Sequence, residues 1–140
     1  MSQILTGEEV VAWVAGHLSR EATSGQGVGL LRDSHLVAGV WFETIFGRTM
    51  VAHIAIPAPV FLSREFLWYI FFYPFQECDC EQLLAPVAAS NHAAQRLVLR
   101  LGFSPKETLE EGPDATILFL MERSSCRWLK LKESRNGKSR

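Results

Sequence analysis

The chain has 140 residues, 48% of them apolar and 21% charged, with a formal net charge of −1. That is the make-up of one compact domain, which hides roughly 70% of its unfolded surface and needs neither disulfides nor a structural metal to hold a core. The charge is unevenly divided: Lys130, Lys132, Arg135, Lys138 and Arg140 against Glu133 give residues 130–140 a balance of +4, leaving −5 for residues 1–129. An acidic body argues against a nucleic-acid partner, whose footprint is a basic face. We therefore read residues 1–129 as a single domain and residues 130–140 as a basic, solvated tail.

Glu8 and Glu9 interrupt the apolar positions of the first sixteen residues, which argues against a signal peptide. The most apolar stretch, residues 66–75, is well short of the roughly 18 residues of a membrane span. Cys78, Cys80 and Cys126 have no histidine pair at zinc spacing beside them, so a metal-free cytoplasmic protein with reduced thiols is expected.

Thr6 followed by Glu9 reads as a capping box, and Val10, Val11, Trp13, Val14, His17 and Leu18 then predict an apolar face on a helix of about four turns. Residues 28–32, 36–46 and 49–56 read as strands, joined by turns at Asp33-Ser34-His35 and Gly47-Arg48. The second strand is apolar on both sides, with Leu36, Val40 and Phe42 on one face and Val37, Trp41 and Ile45 on the other. It should be covered on both.

Pro57 and Pro59 forbid regular pairing, and Ser63 offers a cap for a helix from Arg64 to about Tyr73 that Pro74 ends or kinks. Its aromatic residues, Trp68, Tyr69, Phe71, Phe72 and Tyr73, read as core packing. Residues 82–88 form a strand in which Pro86 requires a bulge or an unpaired edge. Strand, helix, strand at this spacing is a crossover unit, so the strands at 49–56 and 82–88 should be parallel. A helix from Ser90 or Asn91 to Leu101 follows, stopped by Gly102. Two last strands, residues 103–110 and 115–123, flank a Gly112-Pro113-Asp114 turn. Glu107, Glu110, Glu111 and Asp114 gather there as solvated turn charges that could also draw in a cationic amine.

This succession resembles the GNAT N-acetyltransferase superfamily over residues 6 to about 123. The most specific part runs through Asn91, Ala94, Gly102 and Phe103, whose spacing matches the family's strand-Asn-helix-Gly-Phe motif at every position. Cys126-Arg127-Trp128-Leu129 and Tyr73-Pro74-Phe75 also look like small phage and prophage members. The resemblance implies an α+β fold: an α/β/α sandwich whose mixed, mostly antiparallel sheet has one splayed parallel strand pair and helices on both faces. It further implies acetyl-CoA as cosubstrate and direct transfer of its acetyl group to a primary amine.

The pantetheine arm is built of amides and can pair with splayed strand edges as a surrogate strand. In the family's pattern Ile54, Ala55 and Ile56 contribute backbone, Asn91 a side-chain amide, and small Ala94 room for the arm. Asn91 can equally be an ordinary helix cap. The sequence departs from the pattern in two places. Residues 57–64 contain no glycine where the family has a glycine-rich phosphate loop, leaving Ser63 and Arg64 at a helix start as the expected anion contacts. Val98 stands where many members have a tyrosine that protonates the leaving thiolate.

Glu43 and His53 are the candidates to carry the amine's proton, since each lies on a predicted strand of the central sheet. Burial beside Trp41 would raise the Glu43 pKa toward a useful range. The alternative is a carboxylate at a wet sheet end and a satisfied core histidine. A non-catalytic CoA-binding or interaction domain of the same fold is the competing function, and open sheet ends would suit a homodimer.

Overall fold

In the computed structural model, residues 2–109 and 115–130 are described. The Gly112-Pro113-Asp114 turn, with Glu110 and Glu111, and the tail from residue 131 lie outside them.

The chain opens with a strand that the sequence reading missed. β1 (Ser2–Thr6) pairs antiparallel with β2 (Gln26–Arg32), Thr6 opposite Val28. The expected capping box is therefore not formed: Thr6 is committed to the ladder, and α1 (Glu8–His17) starts from Gly7, with no side-chain cap. Gly7 makes the corner at φ 115°, where a side chain would be strained, and donates its N–H to the Gly27 carbonyl at 3.0 Å. The helix has ten residues rather than about four turns, and Leu18 lies just beyond it.

β2, β3 (His35–Phe46) and β4 (Thr49–Ala55) form an antiparallel meander. Leu30 faces Ala38 while Leu31 faces Leu36, so Val37 is an extra residue in the ladder. That irregularity corrects the expected faces. Leu36 packs with Val10, Val14 and Trp41, whereas Val37 packs on the side of Val40 and Phe42. At the far end Thr44 pairs with Met50 and Phe46 with Thr49, which leaves Ile45 unpaired. β3 is thus covered on both faces from Ala38 to Phe42, but Ile45 is exposed and Phe46 is 82% exposed at the hairpin end.

Ser63 caps α2 (Arg64–Phe72), its Oγ accepting from the Phe66 N–H at 3.2 Å. Pro74 does not end the helix outright. The chain continues into a π-helical turn, Tyr73–Glu77, whose wider ring accommodates the missing N–H. β5 (Gln82–Ala88) then runs parallel to β4, as the crossover requires. α3 (His92–Leu101) is capped by Asn91 and ends at Gly102, φ 111°. β6 (Ser104–Leu109) and β7 (Thr116–Glu122) complete a seven-stranded sheet of order β1-β2-β3-β4-β5-β7-β6.

Helices cover both faces. Phe66, Ile70 and Phe71 of α2 and Val98 and Leu101 of α3 join Val28, Leu30, Val40, Phe42, Leu83 and Phe119 in one core, and α1 closes a smaller one over Trp41 and Ala55. This is the α/β/α sandwich expected, with one parallel pair. α1 lies close on the sheet because Gly27 and Gly39 have no side chains: a Cβ at Gly27 would stand 2.7 Å from the Val10 Cβ, and one at Gly39 2.8 Å from a Val14 methyl.

Candidate functional site

β4 and β5 pair over three residues only, Thr49–Val51 with Gln82–Leu84. Beyond this, β4 stays tied to β3 up to Ala55 opposite Gly39, and β5 to β7 up to Ala88 opposite Thr116. The two strands diverge between these anchors and open a cleft of about 520 Å³. Ala52, Ile54, Ala85 and Val87 form its strand walls, and Asn91, Ala94, Leu97, Val98 and Arg100 line it from α3. Residues 57–60 with Leu62 lie across one end, and His17 and Leu18 reach it from the end of α1.

The backbone alternation fixes which groups face the opening. The Gln82 N–H donates to the Arg48 carbonyl, so on β4 the even-numbered residues turn their amides toward β5 and the odd-numbered ones toward β3. Ile54 therefore offers its N–H and C=O to the cleft, and Ile56 lines it just past the strand end. Ala55, named with them from the sequence, turns its backbone to β3 and contributes only its side to the wall. On β5 the Ala89 N–H donates to Ala115, and the register from Gln82 to Ala88 is unshifted. The nitrogen of Pro86 consequently faces the cleft, where no partner strand requires a donor. This is the unpaired edge that Pro86 demanded.

Asn91 caps its helix and also lines the cleft. Its Oδ1 accepts from the Ala94 N–H at 3.1 Å, capping α3, and the residue lines the cleft, so the Nδ2 amide remains for another partner. Ala94 narrows the cleft by a methyl group only. Val98 is buried in the wall and has no proton to give. Ser63 and Arg64 do not line the cleft. The Ser63 hydroxyl is used in capping α2, and Arg64 is exposed just beyond the loop that closes the cleft end.

Glu43 and His53 are brought together, though not into the cleft lining. His53 is 4% exposed, Glu43 28%, and His53 Nε2 lies 2.6 Å from Glu43 Oε1. The Thr23 hydroxyl donates to the other Glu43 oxygen at 2.9 Å, the Trp41 indole N–H to the Ser24 carbonyl at 3.3 Å, and the Arg20 guanidinium sits 6.0 Å from the Trp41 ring. The segment after α1 thus folds over the pair. Its electrostatics correct the expected shift of Glu43. Burial alone would push the carboxyl up, but the hydrogen bonds from His53 and Thr23 and the charges of His53 and Arg20 outweigh it, and its pKa is lowered. For His53, burial dominates and lowers the pKa; the Arg20 charge adds to this and Glu43 opposes it. At neutral pH the pair is a carboxylate beside a neutral imidazole. Since a carboxylate only accepts, Nε2 carries the hydrogen and Nδ1 keeps the lone pair.

Residues the sequence reading did not single out are Thr23 and Arg20 beside Glu43, and His17 and Arg100 in the cleft. Arg100 was within reach: Ala93, Leu97 and Arg100 recur at helical spacing and all line the cleft. His17 reaches it through a long-range packing that no local pattern records. Among the described residues no group of three His, Cys, Asp or Glu side chains is placed to hold a metal.

No family model matches the sequence, and no curated protein matches it. Solved structures do. A chimera of Vibrio cholerae spermidine N-acetyltransferase SpeG and hSSAT superposes with a TM-score of 0.70 at 14% identity, covering 91% of this chain and 98% of that one. A GNAT-family protein from Desulfovibrio desulfuricans gives 0.66 at 14% identity, over 88% and 99%. An N-acetyltransferase from Staphylococcus aureus gives 0.67 at 10%, over 88% and 99%. The chain therefore has the GNAT N-acetyltransferase fold. Spermidine N-acetyltransferases recur among the proteins that share it.

Proposed function

We propose that the protein is an acetyl-CoA-dependent N-acetyltransferase acting on a primary amine, with direct transfer in a ternary complex. The observation that carries this reading is the cleft between β4 and β5: a parallel pair broken after three residues, with free backbone edges, the Asn91 amide and the small Ala94 on its walls. An amide-rich pantetheine arm matches this edge by adding a strand. About 520 Å³ suits that arm with its acyl group. Ile54 and Ile56 would hold its amides, Ser63 and Arg64, at the start of α2 and outside the cleft lining, would be its anion contacts, and Ala55 shapes the wall.

In the reaction the amine nitrogen attacks the thioester carbonyl, the C–S bond breaks, the sulfur leaves as thiolate and the amine loses a proton. Glu43, held ionised, attracts the ammonium form, which releases one proton to solvent so that the neutral amine attacks. His53, fixed by Glu43 with its hydrogen on Nε2, accepts the proton at Nδ1, and the imidazolium so formed is stabilised by the carboxylate. A water can link the pair to the cleft. Val98 offers the sulfur no donor, which a thiolate tolerates as a good leaving group.

Calorimetry with acetyl-CoA and a thiol-release assay over amines, beginning with spermidine, test the proposal. Binding in the micromolar range with CoA release that Glu43→Gln and His53→Ala suppress supports it, and absence of binding at millimolar acetyl-CoA overturns it. A non-catalytic acyl-CoA-binding domain is the second reading, favoured by Val98 and by the absence of Glu43 and His53 from the cleft lining. Binding without turnover for any amine would select it. A cytoplasmic homodimer belongs to the same proposal, and light scattering reads the oligomeric state.

A further inference from the structure

Residues 19–25, between α1 and β2, are all exposed and belong to neither core, so apolar burial does not explain their course. Polar ties and one close approach fix it instead. The Arg20 N–H donates to the Ala15 carbonyl at 2.9 Å as the chain leaves the helix, with Ser19 at φ 55°. At the other end Gly25, at φ 144°, lies so close to β3 that a Cβ there would stand 2.3 Å from the Phe42 carbonyl oxygen and 2.6 Å from the Trp41 indole nitrogen. The Trp41 indole N–H donates to the Ser24 carbonyl at 3.3 Å. Thr23, held between these anchors, is carried onto Glu43.

The two oxygens of Glu43 have different partners: Oε1 lies 2.6 Å from His53 Nε2, and Oε2 accepts from the Thr23 hydroxyl at 2.9 Å. A carboxylate turns readily about its last bond, an sp³–sp² torsion with broad minima, so a single hydrogen bond leaves its plane loosely set. A second bond, from backbone anchored elsewhere, fixes that plane and keeps Oε1 directed at Nε2. Water on Oε2 would satisfy the oxygen without fixing anything. Arg20 does not take this place, since among the described residues the ion pair of Glu43 is with His53 alone.

We propose that Thr23 is the positioning residue of the Glu43 and His53 pair. Its hydroxyl locks the carboxylate plane, so that Nε2 keeps its hydrogen and Nδ1 stays free to take the proton of the amine. Thr23 keeps its own proton throughout and touches neither substrate nor reacting atoms. Its part in turnover rests on the pair carrying the amine's proton, as proposed above.

The test is steady-state kinetics of the full chain with acetyl-CoA and spermidine or another amine that releases CoA, beside proton spectroscopy of the pair. Thr23→Val keeps the shape and removes the hydroxyl; it is expected to lower kcat about tenfold with KM for acetyl-CoA unchanged, and Thr23→Ser to stay within about twofold of the unaltered chain. The hydrogen on Nε2, in a short bond to a carboxylate, should give a downfield resonance that is lost to exchange in Thr23→Val and retained in Thr23→Ser. A thermal melt reports any loss of fold. Equal losses in Thr23→Val and Thr23→Ser, a kcat unchanged in Thr23→Val, or a downfield resonance that persists in Thr23→Val or is absent from the unaltered protein, overturns the assignment. If no amine releases CoA, the acetyltransferase reading fails by itself, and the resonance alone decides whether Thr23 sets the pair.

Discussion

Glu43 and His53 couple stability to pH, and under the proposed mechanism turnover follows in the same direction. The His53 pKa is lowered from its usual 6.5 by burial, so the unfolded chain takes up a proton first as pH falls, and folding loses stability below about that value. Glu43, with its pKa lowered from 4.5 by partners that together outweigh burial, adds a second loss when pH drops through that range. Stability should therefore be level near neutrality and decline in two stages toward acid, as denaturant titrations at a series of pH values would read. Replacing Glu43 by Gln removes the influences that hold the His53 pKa up. The acid limb of the rate profile should move to lower pH while the maximal rate falls by about 10²-fold. An acid limb that moves upward, or a loss in acetyl-CoA affinity with no loss in rate, would separate this pair from the chemistry.

At the scale of elements, the closeness of α1 to the sheet sets both the smaller core and the reach of His17 into the cleft. Gly39→Ala places a methyl 2.8 Å from Val14. The helix must shift or the core must strain, at a cost of about 1–3 kcal/mol in a denaturant titration. Pro86 allows the opposite change. Pro86→Ala would return an N–H to the cleft-facing edge of β5, and a few-fold tighter binding of S-acetylpantetheine, read by calorimetry, is the expected result.

The same elements show what was legible beforehand. Ser63, Asn91 and Gly102 act through backbone groups within four residues of themselves, and their roles followed from local chemistry. So did the crossover, because a parallel pair needs a connection of that length. The face swap of Leu36 and Val37 was not legible, since one extra residue in a ladder inverts every side chain beyond it while leaving the composition of the strand unaltered. β1 was hidden by its brevity, and Thr6 looked like a cap because its strand partner lies more than twenty residues away. In the site, the meeting of Glu43 with His53 follows from β3–β4 pairing, but the sign of the Glu43 shift does not. It depends on Thr23 and Arg20, delivered by a segment with no periodicity to announce where it folds.

For the molecule as a whole, the division of charge decides how an anionic ligand is held. Residues 1–129 carry −5 and residues 130–140 +4, so the tail contributes an opposing field but the body repels polyanions at long range. If binding rests on contacts at the cleft, that field is screened over about 8 Å at physiological salt and the tail is dispensable for equilibrium affinity. A chain ending at Leu129 keeps Arg127 and Trp128 with their side-chain contacts to Arg100, Leu101 and Phe71, losing the Lys130 N–H bond to the Arg127 carbonyl, and its affinity for acetyl-CoA should stay within about twofold of the full chain at that ionic strength. A chain ending at Ser125 is a different molecule. It removes the buried Cys126, the Trp128 ring stacked on Phe71 and the donors to the Arg100 and Leu101 carbonyls, and loses about 3–5 kcal/mol of stability by the usual cost of deleting a packed tryptophan. Denaturant midpoints and calorimetry on the two truncations tell the mechanisms apart. Weakening at Leu129 that grows as salt is lowered assigns affinity to the global field, whereas an unchanged Leu129 chain beside a destabilised, weak-binding Ser125 chain assigns it to the short segment that closes α3.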